Sequence, residues 1–390
     1  MDPNVTPAAS PPPSLPPSRW VAPLYFLILL LALVFSLEIG ARFIVARGSD
    51  PVLMRVVEDY GRLAAEGADW IRFIPDAELS YRLRPEFTVT GPRGGVTRHN
   101  KQGFRDAEDF PPKSEQVLRI VCLGASTTYG VSVEDNKDTY PAQLEVQLNG
   151  PLKPAGWERV EVFNLGVGGY TSREILGTLK RTLPELKPDV VLIQNAINDV
   201  IPRFYPNYQM DYSHFRTDFA PLDVKLWHRI AYRSQAWLTF AYGLDWIRPL
   251  SLQSQTQKPM PPVDEALANL ELNAPTGYEA NLSEMVSTAQ AAGCQVWLLT
   301  QAYLDVPAFA GPNEESRRLE GGYRRGLAEH TQIVIALAQE TGAGLIELHK
   351  TTPRDQFLFA DPIHMTAAGN EVKGKLVAEA IAKKLPPGPS

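Results

Sequence analysis

Two groupings in this chain have the residue types and spacing for nucleophilic chemistry. The first is Ser126. It follows a short continuous apolar run, Ile120 to Leu123, and the glycine Gly124. Such a run reads as a strand buried on both faces of a parallel sheet, and open α/β sheets place their ligand sites at the carboxyl ends of strands. A serine lifted off a strand end becomes a nucleophile if a histidine reaches it; otherwise it is a capping residue in a polar turn. The second grouping is Asp361 and His364, three residues apart on a loop stiffened by Pro362. This spacing can put the carboxylate on one imidazole nitrogen and leave the other for a serine, while Thr366 caps the helix that follows.

Two further strand ends could supply donors for an oxyanion. One carries Asn164, Gly166, Gly168 and Gly169, whose flexible backbone can aim an N–H into a cleft. The same stretch invites a dinucleotide reading, but Thr171 stands where the third glycine of that fingerprint belongs. The other carries Asn195, Asn198 and Asp199, where an asparagine amide could serve the same oxyanion or simply shape a turn.

Positioning these groups requires a sheet. From Arg119 onward the chain alternates strands, expected at 119–123, 159–164, 189–194, 294–300 and 344–348, with helices at about 139–149, 172–185, 276–292, 322–341 and 366–384. The pattern implies right-handed βαβ units and a three-layer α/β fold with a parallel sheet in flavodoxin-like order. One long interruption, 200–275, is rich in aromatics from Phe204 to Trp246, with a helical stretch at 226–248. It reads as a substrate wall or lid, as a packed subdomain, or as a membrane-surface element around Trp237 to Trp246.

The N-terminal part has a different character. Residues 1–19 are proline-dense and read as a disordered tail. An uncharged run from Trp20 to Leu37 continues past Glu38 and Arg42 to Val45 and reads as a single membrane anchor over 20–45, with that charge pair bridging one helical turn. A cleaved signal peptide and a buried core helix are the competing readings; the chain offers no convincing basic n-region or small-residue cleavage site. Arg19 precedes the run while Arg42 and Arg47 follow it, so the positive-inside count does not favour a cytoplasmic N-terminus. Residues 46–114 read as a juxtamembrane helix, with apolar helical spacing in 51–70, and then a small strand-and-loop extension.

Composition narrows the partners. The 390 residues carry a net charge of −6 with no long basic run, which argues against nucleic acid. Cys122 and Cys294 sit in expected buried strands and read as free, inert thiols. The six histidines show no metal-type spacing, so no cofactor or metal is expected.

Four of these stretches together resemble the SGNH/GDSL hydrolase family over roughly residues 115–386. Gly124, Ala125 and Ser126 resemble its first block, Asn164 with Gly169 its second, Ala196 with Asn198 and Asp199 its third, and Asp361 with His364 its last. Tyr81 to Pro85 and Asn100 to Arg105 look like the lead-in of membrane-anchored bacterial members, which implies an extracytoplasmic catalytic domain. The resemblance implies an esterase with Ser126 as nucleophile, His364 as base, Asp361 as its partner, and an oxyanion hole from the Ser126 and Gly169 N–H groups and the Asn198 amide. Two residues depart from the pattern: Ala125 replaces an aspartate and Ala196 a glycine. Implied substrates are esters, including acetyl esters on cell-surface carbohydrate or lipid. The alternatives are an O-acetyltransferase acting on polysaccharide with the same residues, and a non-catalytic anchored binding module.

Overall fold

In the computed structural model, residues 21–66, 72–217, 219, 225–247, 250, 256–309, 311 and 313–388 are described; the proline-rich tail expected at 1–19 lies outside them. The chain forms two compact units, one from residues 1–67 with 224–250, the other from 68–223 with 251–390. The insertion expected at 200–275 is therefore divided between the units.

The first unit begins with α1, Val21–Ala46, whose apolar side chains are mostly exposed. It is the one helix among the described residues long and apolar enough to cross a membrane. Glu38 and Arg42 pair across one of its turns at 2.8 Å. The second helix, α2 (Pro51–Glu66), starts where Asp50 accepts the N–H groups of Val52 and Leu53.

The second unit opens with two antiparallel hairpins, β1 (Phe73–Asp76) with β2 (Ser80–Leu83) and β3 (Thr88–Thr90) with β4 (Val96–Arg98). Then comes β5, Val117–Gly124, buried at every position: Ile120 to Leu123 form its apolar run, and Arg119 is buried by pairing with Glu161 of the next strand at 2.8 Å. It leads into the single turn α3, Ser126–Tyr129, and on to α4, Tyr140–Asn149. Next are β6 (Arg159–Gly166), α5 (Ser172–Leu186) and β7 (Val190–Gln194). Residues 200–215 turn inward after β7. Phe204, Tyr205, Tyr212 and Phe215 pack with Ala266 and Leu270 as a separate small core.

Two short helices then belong to the first unit, α6 (Leu226–Ala231) and α7 (Gln235–Gly243), in place of the single helical stretch expected at 226–248. The break falls at Tyr232 to Ser234, where the Ser234 hydroxyl accepts the Trp237 N–H and starts a new helix. Tyr60 of α2 meets Tyr232 edge-on at 4.8 Å.

The second unit resumes with α8 (Val263–Leu272), α9 (Thr276–Ala291), β8 (Gln295–Leu299), α10 (Glu314–Thr341), β9 (Gly344–Ile346), α11 (Leu348–Thr351) and α12 (Ala367–Ile381). Helix α10 starts eight residues before the expected 322. Asn313 caps it by accepting the Ser316 N–H at 2.8 Å, and Gly322 lies inside it. A Cβ there would sit 2.6 Å from Leu267 and 3.2 Å from the Phe204 ring, so this glycine serves close packing rather than a turn.

The sheet runs β6-β5-β7-β8-β9 with every pair parallel. Counted along the chain this is 2-1-3-4-5, the flavodoxin-like order. Alternation along β5 divides the core: Val121 and Leu123 face the layer holding Leu179, Leu282 and Val334, whereas Ile120 and Cys122 face Leu144 and Val377. Both cysteines are free and buried.

Glu145 of α4 accepts the Val162 N–H of β6 at 3.1 Å. Burial raises its carboxyl from an ordinary value near 4.5 to about 7, against that hydrogen bond and with the Asp106 and Glu161 charges adding to the rise. The folded chain thus holds this proton more tightly than the unfolded chain, and the contribution to stability falls as pH rises from about 4.5 through about 7. Glu145→Gln keeps the acceptor without the charge. The gap between denaturant midpoints at pH 4.5 and pH 8 should be smaller in the variant than in the natural chain, with the variant's gain appearing at pH 8. An unchanged gap would refute the buried-carboxyl argument.

Candidate active site

The turn that carries Ser126 is built on close approach. Gly124 ends β5 where a Cβ would fall 2.1 Å from the Thr128 hydroxyl and 2.5 Å from the Gln194 carbonyl, so only glycine fits. Ser126 then stands at the first position of α3, at the carboxyl end of the central strand pair. Its N–H is one of the helix-start donors that have no partner within the helix.

Chain segments 238 residues apart meet at this hydroxyl. His364 Nε2 lies 2.7 Å from Ser126 Oγ, and His364 Nδ1 lies 2.6 Å from Asp361 Oδ2. The other Asp361 oxygen accepts the N–H groups of Ile363 at 3.0 Å and His364 at 2.8 Å, so one carboxylate fixes both the loop and the ring. Burial pushes the Asp361 carboxyl up, but the His364 hydrogen bond and charge and the two N–H groups outweigh it and hold it below its ordinary range. An ionised carboxylate on Nδ1 keeps the proton there and leaves Nε2 to accept the serine proton. Thr366 caps α12 at the same time, accepting the Gly369 N–H at 3.2 Å.

The donor side is equally constrained. Gly169 has φ +79°, which an L side chain rarely adopts. The Tyr81 hydroxyl of β2 donates to the Gly168 carbonyl at 3.0 Å. In a trans peptide that carbonyl points opposite to the Gly169 N–H, so fixing one aims the other. Arg216 donates to the Gly169 carbonyl at 3.2 Å while its guanidinium forms a buried fork on Glu174 at 3.0 and 3.2 Å. Glu174 in turn accepts the N–H and hydroxyl of Thr171 at the start of α5. Asn198 donates to the Tyr170 carbonyl at 2.8 Å, which orients its amide and leaves the second amide hydrogen available.

Asp199, fully buried, holds this corner together. Its oxygens accept the Ser172 N–H at 3.0 Å, the Ser172 hydroxyl at 2.5 Å, the Tyr212 hydroxyl at 2.8 Å and the Asn195 amide. Burial raises its carboxyl to about 6 against those donors. The two replaced motif positions are both accommodated. Ala125 and Ala196 are buried, and the Ala196 carbonyl accepts from His330 at 2.8 Å.

A family model described as the GDSL-like lipase/acylhydrolase family matches residues 122–372, well over half of the chain. The chain belongs to that family. Among the solved structures it resembles are a lipase/acylhydrolase from Enterococcus faecalis, at 20% identity and TM-score 0.40, covering 70% of this chain and all of that one. Another is a GDSL-like lipase from Bacteroides thetaiotaomicron, at 16% identity and TM-score 0.41, covering 71% of this chain and 93% of that one. No curated protein matches it.

Several supports of the site lie before the matched segment, in the extension that the sequence marked only as a lead-in. Besides Tyr81, buried Arg105 donates to the carbonyls of Tyr129 at 3.2 Å, Gly130 at 2.5 Å and Val133 at 3.0 Å, gathering the loose carbonyls where α3 ends. His99 Nε2 meets the Tyr129 hydroxyl at 3.0 Å. Behind the turn, buried Lys373 of α12 bonds Gln194 at the end of β7 and lies 3.7 Å over the Tyr140 ring; burial lowers its ammonium to about 7. Sequence spacing carries no mark of these roles, because each partner lies far along the chain.

Tyr81→Phe removes the hydrogen bond to Gly168 and keeps the ring. Loss of one buried hydrogen bond is worth about 1 kcal/mol, so kcat should fall about five- to tenfold, with KM nearly unchanged. A KM rise at constant kcat would mean that Tyr81 shapes substrate binding rather than the oxyanion peptide.

Proposed function

We propose that this family member is a membrane-anchored serine acyl hydrolase acting on esters. The observation that carries the reading is the continuous hydrogen-bonded line from Asp361 through His364 to Ser126. Ser126 Oγ attacks the ester carbonyl, forming a carbon–oxygen bond, as its proton passes to His364 Nε2. The oxyanion that forms is held by the N–H groups of Ser126 and Gly169 and by the Asn198 amide. When the intermediate collapses, the bond to the alcohol breaks and His364 returns the proton to the leaving oxygen. Water then repeats the sequence on the acyl-enzyme and releases the acid. Asp361 keeps the imidazole in one tautomer and stabilises its cation. No step calls for a metal or an organic cofactor.

The anchor in this reading is α1. Its exposed apolar side chains are costly in water and suited to hydrocarbon. The resemblance of Tyr81 to Pro85 and Asn100 to Arg105 to the lead-in of membrane-anchored bacterial members supports a catalytic unit outside the cytoplasm in this reading, with acetylated carbohydrate or lipid as the substrate class. A fluorophosphonate probe tests the chemistry, with adduct mass located by peptide mapping. The expected result is one adduct, on Ser126, together with loss of short-chain aryl ester hydrolysis. An unlabelled chain that still hydrolyses the ester would overturn the assignment, and a chain with neither property would be a binding module. Adding a sugar acceptor during turnover separates hydrolysis from acyl transfer: diversion of acyl groups to the sugar at the expense of free acid would make the enzyme an O-acetyltransferase.

A further inference from the structure

The first unit carries an exposed aromatic cluster that the ester chemistry does not use. Trp237 and Phe240 of α7 and Trp246 just after it form a triangle, with ring centroids 5.7 to 6.3 Å apart. They remain 36%, 54% and 63% exposed, beside Leu244 at 47%. Three large rings that pack on one another yet stay open to the outside are costly in water and call for an apolar cover.

What covers them is indicated by what α7 is attached to. Glu38 of α1 accepts the Ser234 hydroxyl at 2.8 Å and the N–H groups of Gln235 and Ala236 at 3.3 and 3.2 Å. It is an anionic cap on the positive end of a nine-residue helix. Arg42 adds a fourth partner. The uncharged part of α1 before Glu38, Val21 to Leu37, spans about 26 Å, close to the ~30 Å of a bilayer's hydrocarbon. Glu38 thus falls at the edge of the hydrocarbon, and α7 is fastened to that edge. Tryptophan rings belong at this depth, with their apolar bodies among acyl chains and their N–H groups among headgroups.

We propose that Trp237, Phe240 and Trp246 form a lipid-binding face that beds α7 into the membrane interface beside α1. The proposal rests on the anchor reading of α1 and adds a second, lateral point of contact. Glu38 is the tie between the two, since four hydrogen-bond donors make its carboxylate tolerable at the edge of the hydrocarbon.

The test uses the full chain carrying Trp20→Phe, which removes the tryptophan next to the span. The chain is reconstituted in phosphatidylcholine vesicles whose acyl chains are brominated near the headgroup or left unbrominated. Flotation after a carbonate wash reads the anchor, and bromine quenching of tryptophan emission reads the aromatic face. The expected result is flotation with quenching, and a clear loss of that quenching when Trp237→Phe and Trp246→Phe are added. Flotation with no quenching, or with quenching unchanged in the added variant, would overturn the lipid-binding face and leave the anchor standing. Failure to float would overturn the anchor and the face with it. Cross-linking of two chains through position 240 in unquenched vesicles would assign the cover to a second copy instead.

Discussion

Ser126→Ala should lower kcat/KM for a short-chain aryl ester by about 10⁴- to 10⁶-fold, the range expected when one member of a nucleophile–base unit is lost. In the proposed mechanism the effect is this large because the serine and the imidazole, 2.7 Å apart, act together: Ser126 would be a poor nucleophile without His364, and His364 would have no proton to relay without Ser126. His364→Ala should therefore lose about as much, and the double variant little more. Asp361→Ala leaves both reacting groups in place but frees the ring and the loop it organises. Its loss should be nearer 10⁴-fold. What survives in each variant is the proposed donor set, the main-chain N–H groups of residues 126 and 169 and the Asn198 amide, which would still favour a tetrahedral oxyanion. Rates within tenfold of the natural chain for Ser126→Ala would end the serine-hydrolase reading. Losses that multiply in the double variant would mean that the two residues work in separate steps.

The groups placed in these roles were legible in the sequence because each is a local pattern. Ser126 follows its own strand, and Asp361 and His364 share one loop. The sheet order was legible for a related reason: β5 and β7 carry short apolar runs, β6 alternates valines with polar positions, and small or polar residues close all three. The supports of the site were not legible. Tyr81 reaches Gly168 across 87 residues, and Arg105 reaches Gly130 across 25. A hydrogen bond of that reach leaves no spacing to read. The aromatics of 200–250 show another limit. Phe204, Tyr205, Tyr212 and Phe215 fill a small core, while Trp237 and Trp246, drawn from a similar composition, stay exposed. Aromatic content sets how much surface must be covered, and only the path of the chain decides whether protein covers it. The role of Gly322 in close packing against Leu267 and Phe204 likewise depends on the path of the chain and not on the residue's identity.

Asn198 and Asp199 are neighbours, yet their alanine variants should fail in opposite ways. Asn198 is half-buried, and its amide donates to the Tyr170 carbonyl. Asn198→Ala removes a proposed oxyanion donor and should cost about 10²- to 10³-fold in kcat, with KM and the unfolding midpoint nearly unchanged. Asp199 instead gathers donors from the start of α5, from Asn195 and from Tyr212 into one buried carboxylate. Its removal strands them. Unpaired buried donors cost about 1–3 kcal/mol each, but the chain also escapes the cost of burying a carboxylate whose titration is already pushed up to about 6. The net expected loss is about 2–4 kcal/mol of stability. Activity should fall as well, because the turn that carries Asn198 ends at Asp199. Below the unfolding transition that fall should be smaller than the one from Asn198→Ala, since the amide itself is retained. Parallel kinetics and denaturant melts on the two variants read both axes. If Asn198→Ala unfolds early while Asp199→Ala melts like the natural chain, the division of labour between holding the corner and binding the oxyanion is wrong.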